Sequence, residues 1–260
     1  MSHLFNKEYY LTSCGIPYSD DGIKNHHEVI AEHIVRDFNP KTVLDAGCAY
    51  GYIVAALRDR GVNAYGIDIS NYAISQVRED IRPYCVAGSI IDPLPVELPQ
   101  RYDLIINIEI LEHLYEEDSI AALVNLCKYG DKIVFSSSPV DVTEKTHYNV
   151  QQIEYWSKHF AKENFFRVLD YSPNYITPWA VYFERSSLPL YRIVENYEHK
   201  FRNILNTLRQ GNEALQNLQA ENNSLQAENV TQYQYFVSSR SWKITRPLRA
   251  IKQLITKGKS

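Results

Sequence analysis

Three side chains able to take up a proton, Glu109, His113 and His147, follow two apolar runs at 102–108 and 132–137. If those runs are the fourth and fifth strands of a parallel sheet, the three side chains stand at carboxyl ends of strands. That is where ligands gather in open α/β sheets. A base placed there can take the proton of an acceptor hydroxyl. His113 is the first candidate, because imidazole titrates near neutral pH. It also reads as a helix-start histidine that orders its loop through Glu112. His147, in Thr146-His147-Tyr148-Asn149, reads as a surface-loop residue just as readily.

A second constellation could hold a ligand. Val43-Leu44-Asp45-Ala46-Gly47-Cys48-Ala49-Tyr50-Gly51 runs from a short apolar strand into a turn of small residues, and Tyr52 to Arg58 reads as a helix. A strand, a small-residue turn and a helix leave backbone N–H groups facing a ligand with no side chain in the way. The same turn can also merely pack strand against helix. A second strand, Ala64-Tyr65-Gly66-Ile67-Asp68, ends in an acid 23 residues after Asp45. An acid at that tip can accept from both hydroxyls of a ribose. The spacing suits a dinucleotide or S-adenosylmethionine (SAM). The dinucleotide fingerprint wants G-x-G-x-x-G, whereas here Asp45 directly precedes the turn and the order is Gly47-x-Ala49-x-Gly51.

The pattern Asp45-x-Gly47-x-Ala49-x-Gly51 resembles motif I of the class I SAM-dependent methyltransferases. Tyr102 to Leu114, with Glu109-x-Leu111-Glu112-His113-Leu114, is similar to the fourth-strand motif of many small-molecule and glycan methyltransferases. The resemblance covers residues 43–114. It implies a Rossmann-like α/β fold with a seven-stranded sheet and SAM as cofactor. It further implies a cofactor site of Asp45, Gly47, Ala49, Gly51, Asp68, Ile69, Ser89, Ile90, Asn107 and Glu109, with no metal. At Gly88-Ser89 the family usually shows Gly-Asp near the adenine, so Ser89 replaces an acid. The segment ahead of motif I often covers the cofactor, which makes Tyr10 and Tyr18 lid residues. The family places acceptor contacts where His147 stands.

The elements that must position these residues follow from the periodicity. Strands are expected near 42–45, 64–68, 84–87, 102–108 and 132–137, with helices near 51–60, 71–80 and 118–128. That alternation indicates a parallel sheet with helices on both faces. Ile23, His27, Ile30, Ile34 and Phe38 recur at three and four, an amphipathic helix ended by Asn39-Pro40, in which His26 and His27 read as ordinary helix residues. A helix at 151–161 leads to strands Phe166–Tyr171 and Trp179–Glu184, like the antiparallel hairpin that closes a methyltransferase sheet. The expected division is a lid and helix at 1–40, a methyltransferase domain at 41–186, a coiled coil at 188–235 and a basic amphipathic tail at 238–260.

With 260 residues, 45% of them hydrophobic, the chain has room for one α/β domain of about 150–200 residues and an appendage. Met1 to Tyr10 hold no apolar run, so no secretory signal is expected, and no stretch approaches the roughly 20 apolar residues of a membrane span. Cys14, Cys48, Cys85 and Cys127 lack paired spacing for zinc or redox work and read as free thiols in a cytoplasm. The net charge of −4 hides a split, because no acid follows Glu228 while Arg240, Lys243, Arg246, Arg249, Lys252, Lys257 and Lys259 do. An acidic body argues against nucleic acid as a partner.

The tail carries a different signal. Val194, Tyr197, Phe201, Ile204, Leu208, Gly211, Leu215, Leu218, Asn222, Leu225 and Asn229 step alternately by three and four, and Leu-Gln-Ala-Glu-Asn occurs at 218–222 and again at 225–229. Leucine at d with asparagine at a favours a parallel two-stranded coil, hence a homodimer. A single helix packed on its own domain is the other reading. Beyond it, Trp242, Leu248, Ile251, Leu254 and Ile255 among basic residues suit an anionic surface, which would place the protein at the inner membrane. Ser239-x-Ser241-Trp242-Lys243-Ile244-Thr245-x-Pro247-Leu248-Arg249 resembles part of a tail of bacterial enzymes of surface-polysaccharide assembly. That resemblance implies a glycan acceptor. A small-molecule acceptor, or a non-catalytic scaffold recruiting a glycosyltransferase, are the alternatives.

Overall fold

The computed structural model describes residues 3–13 and 19–247. Among these, seven strands form one sheet: β1 (Thr42–Ala46), β2 (Asn63–Asp68), β3 (Cys85–Ala87), β4 (Leu104–Ile108), β5 (Lys132–Ser136), β6 (Phe165–Arg167) and β7 (Val181–Arg185). Their order is β3-β2-β1-β4-β5-β7-β6. β1 to β5 pair in parallel, and β7 runs antiparallel to both β5 and β6. The strand order reverses between β1 and β4, which opens a crevice at their carboxyl ends.

Alternation along the strands divides the core. Val43, Leu104, Ile106 and Val134 pack with Ile30 and Ile34 of α1 (Asp21–Phe38) and Val54 and Leu57 of α2 (Tyr52–Asp59). Their neighbours Leu44, Ile105, Ile133 and Phe135 face the other way, onto α4 (Glu116–Leu126) and Trp156 and Phe160 of α5 (Ile153–Lys162). Successive strand residues point to opposite faces, so a sheet covered on both sides has near-continuous apolar strands. Each such buried side chain stabilises the fold by about 1.5–3 kcal/mol relative to exposure.

Local signals set the helix ends. Asp20 caps α1 by accepting from the Gly22 N–H at 2.7 Å, and Asn39 ends it in the left-handed region at φ 42° before Pro40. The helix expected over 71–80 is shorter. α3 spans only Asn71–Ser75, and Glu79–Tyr84 winds as a 3-10 turn. Pro83 cannot donate to an α-helical ladder, and Arg78, in extended backbone, forks to Asp59 and Asp80. The first hairpin strand likewise covers only Phe165–Arg167, leaving 168–180 as a loop beside the crevice.

The chain divides after Ile193 into two compact units. The second is dominated by α6 (Leu190–Ser238), a 49-residue helix in which Ile193 alone is buried. α7 (Arg240–Ile244) follows, with Trp242 packed on Phe236 at 4.5 Å between ring centroids. Of the expected basic tail, Leu248, Arg249, Ile251, Lys252, Leu254, Ile255, Lys257 and Lys259 lie outside the described residues, as does Tyr18 of the expected lid. Among the described residues no helix is long and apolar enough to cross a membrane.

Candidate active site

A cavity of about 570 Å³ lies at the carboxyl ends of β1, β2 and β4. Gly47 and Ala49 border it from the turn after β1, Asp68 and Ile69 from the end of β2, and Ser89 and Ile90 from the stretch after β3. Glu109, Ile110 and His113 border it from the segment after β4, and Phe5, Tyr9 and Tyr10 from the N-terminal segment. Thus Tyr10, Gly47, Ala49, Asp68, Ile69, Ser89, Ile90, Glu109 and His113 all meet at one space. Four other expected site residues do not border it: Asp45, Gly51, Asn107 and His147.

Their placement has physical causes. Asp45 lies inside β1 rather than at its end, and burial together with the neighbouring Asp68 charge pushes its carboxyl up to about 8. Gly51 starts α2 at φ 70°, a left-handed position that favours glycine, and a Cβ there would press on Ile81 and Cys85. Asn107 is fully buried, and its amide donates to the Ala46 carbonyl at 2.8 Å, tying β4 to the end of β1. His147 packs edge-on against His113 at 4.5 Å between ring centroids.

The turn after β1 differs from the expected row of ligand-facing donors. The N–H groups of Gly47 and Cys48 both donate to the Ile67 carbonyl, that of Ala49 to Asp68 Oδ2, and that of Gly51 to the Cys48 carbonyl. A turn whose donors are spent inside the protein has little to offer a pyrophosphate. The cavity beside it carries the carboxylates of Asp68 and Glu109 instead. That pair of acceptors fits SAM, a sulfonium cation with a ribose, better than a dinucleotide. Gly47 sits at φ 100°, and a Cβ on it would overlap Ile110, so the close approach of turn and β4 segment depends on its lacking a side chain.

His113 is held as a neutral imidazole. Its Nδ1 lies 3.2 Å from the Thr146 carbonyl, which can only accept, and 2.9 Å from Thr146 Oγ1, whose own proton goes to Glu144. Nδ1 therefore carries the hydrogen, and Nε2 carries the lone pair. Burial, and then the His147 ring, hold its pKa down at about 4. The burying groups include Phe5 and Tyr9, both edge-to-face with the imidazole. Phe5 is anchored through its carbonyl, which accepts from the Ser70 hydroxyl.

Glu109 adopts φ 52°, unusual for a residue with a side chain, and its carboxylate accepts from Trp179 Nε1 at 2.9 Å and from the Ser136 hydroxyl. Glu112 is fully buried, and burial and then Glu109 push its pKa well up. Its backbone carbonyl accepts from the Tyr148 and Asn149 N–H groups, fixing the strap that carries Thr146.

Several lining residues escaped the sequence reading. Ile23, His26, His27 and Ile30 of α1 wall one side, and Ile176 and Thr177 come from the 168–180 loop. His27 shares the apolar stripe of Ile23 and Ile30, a signal present in the sequence. Nothing local marks Ile176, Thr177 or Trp179. Among the described residues no group of three or more His, Cys, Asp and Glu side chains could hold a metal ion.

Residues 24–172, more than half of the chain, match the family model described as a methyltransferase domain. The ubiquinone biosynthesis O-methyltransferase of Nitrosomonas europaea is 29% identical over 111 residues, 41% of this chain and 47% of that protein. Its namesake from Stutzerimonas stutzeri is 31% identical over 116 residues, 42% and 48% respectively. The chain thus spans about half the length of the curated relatives it matches. Among solved structures, magnesium protoporphyrin IX methyltransferase from Synechocystis PCC 6803 with bound SAM superposes with a TM-score of 0.55 at 18% identity, covering 71% of this chain and 97% of that one. A protein from Pyrococcus horikoshii OT3 gives 0.54 at 16% identity, covering 70% and 100%. Those identities establish likeness of fold. Matched from α1 through β6, the chain belongs to the methyltransferase-domain family and has the fold of the class I SAM-dependent methyltransferases.

Proposed function

We propose that the protein is a SAM-dependent O-methyltransferase, a reading carried by one observation: Asp68 and the neutral ring of His113 border the same cavity. SAM, when bound, supplies a methyl group on a sulfonium whose leaving group is neutral. Asp68 would hold the ribose, with Ser89 and Ile90 beside the adenine. Glu109 would face the cationic end. His113 Nε2 would take the acceptor's hydroxyl proton. Phe5, Tyr9 and Tyr10 line the cavity and would shield the reactants from water, so the remaining task would be alignment of two reactants.

For the acceptor we favour a bacterial surface glycan or its precursor, on the strength of the tail run Ser239 to Arg249, with recruitment of a glycosyltransferase as the alternative use of that tail. A small phenolic acceptor is the second reading. It is favoured by the weak basicity of His113, which matches a hydroxyl of pKa about 10 better than an alcohol. The relatives named ubiquinone biosynthesis O-methyltransferases point the same way. Incubation with methyl-labelled SAM and either extracted surface polysaccharide or a panel of phenols decides between them. Label in the phenols alone overturns the glycan, and label in an amine product overturns O-methylation.

The cofactor has its own test. SAM at about 100 times its Kd should raise the melting temperature by about 5–10 °C. NAD at the same concentration should leave it unchanged, because the turn after β1 has spent its donors. No shift with SAM would favour the non-catalytic scaffold.

A further inference from the structure

The helix α6 leaves a long apolar stripe uncovered. Val194, Phe201, Ile204, Leu208, Leu215, Leu218 and Leu225 are each about half exposed. They fall on the a and d positions of one heptad register, with a at 194, 201, 208, 215, 222, 229 and 236. We infer that this stripe is covered by α6 of a second copy of the chain, parallel and in register.

The polar residues in the seam select that occupant. Asn222 and Asn229 both occupy a positions near one end of the helix. In a parallel, in-register pair each meets its own copy and exchanges amide hydrogen bonds. With the helices antiparallel and their ends matched, both asparagines would press on the apolar seam of the Tyr197–Leu208 stretch of the other helix. A one-heptad slip would leave one asparagine of each helix facing an apolar or exposed position. The flanks agree. In a parallel pair each g residue faces the next e residue of the partner, which matches Lys200 with Leu205, Glu221 with Gln226 and Glu228 with Tyr233. None of these sets like charges together. Gly211 is the one d position without a side chain, and a Cβ there would meet nothing within 4 Å. The inference is independent of the acceptor and of catalysis.

Light scattering of the full chain at about 10 µM should give twice the protomer's 30.2 kDa. A monomer, a trimer or an assembly with a co-purified protein would overturn the inference. Leu225→Asp should give a monomer that still melts cooperatively and binds SAM. A dimer surviving that change would move the interface elsewhere. Gly211→Leu should tighten the dimer at least tenfold and more than Gly211→Ala does. In a lone helix the two changes gain alike, so equal effects would show that no d layer is being filled. Leu218→Cys, mildly oxidised, should yield a covalent dimer absent from the unsubstituted chain. Failure of that cross-link in a chain that still dimerises would rule out parallel, in-register pairing.

Discussion

His113→Ala is expected to lose roughly 10²–10⁴ in turnover while binding SAM as before, the range that a positioned general base contributes. The expectation rests on the ring's neutrality. Its hydrogen is committed to Thr146, its lone pair is on Nε2, and burial and His147 hold its pKa at about 4. The ring is thus in its proton-accepting form at neutral pH, and activity that depends on it should fall only as the pH drops through about 4. The same depression bears on stability. An unfolded histidine takes up its proton near 6.5, so the stability this group contributes is present above that pH and declines from about 6.5 down to about 4. Acid unfolding competes with the kinetic limb in that window. Titration of the His113 ring by NMR is therefore the cleaner readout. His147→Ala should move the pKa of His113 upward, because the His147 ring lowers it, and should leave a base in place. Full turnover in His113→Ala would leave alignment alone as the mechanism or pass the proton to Glu109. Restoration of activity by added imidazole would confirm the assignment to the ring.

Much of this arrangement was legible in the chain because it is local. A strand, a turn of Gly47, Ala49 and Gly51, and an acid ending the next strand are read along the sequence, and parallel pairing of β1 with β2 brings them together. The Glu109-x-Leu111-Glu112-His113 stretch is likewise continuous. What the sequence does not show is how each polar group spends its hydrogen bonds. Small residues in a turn suggest donors open to a ligand, but Ile67 and Asp68 sit close enough to consume them. Asn107 stands near the end of a strand as a cofactor contact would, yet its amide donates to the Ala46 carbonyl. The cavity wall formed by Ile176 and Thr177 belongs to a loop with no period, placed by the ladder of β7 on β5 from beyond residue 180. His27 was hidden differently. Its place on an amphipathic stripe is that of any core-facing residue until the neighbouring element turns out to be a cavity.

Asp68→Ala is expected to weaken SAM binding about 10–150-fold, equivalent to about 1.5–3 kcal/mol for a hydrogen-bonded charged acceptor. Both carboxylate oxygens of Asp68 are already held, Oδ2 by the Ala49 N–H and Oδ1 by the Ser70 N–H, each at 2.8 Å. A carboxylate has about four acceptor sites, so two remain for the hydroxyls of a ribose. The substitution removes those and also unties the turn after β1 from the end of β2. Asp68→Asn separates the two effects, since one oxygen remains but an amide N–H is set against a backbone N–H. Asp45→Asn is the control. Asp45 does not border the cavity, and burial and then Asp68 raise its pKa to about 8. An unfolded Asp ionises near 3.9, so the stability associated with a protonated Asp45 is fully present below that pH and is lost as pH rises towards 8. Asp45→Asn has no proton to lose and should be more stable than the unsubstituted chain at pH 8, with SAM affinity within a few-fold. Calorimetric titration of Asp68→Ala and Asp45→Asn with SAM distinguishes the two carboxylates. Equal losses of affinity would make Asp45 a ligand in spite of its place inside β1, and an unchanged affinity in Asp68→Ala would remove the ribose contact from the site.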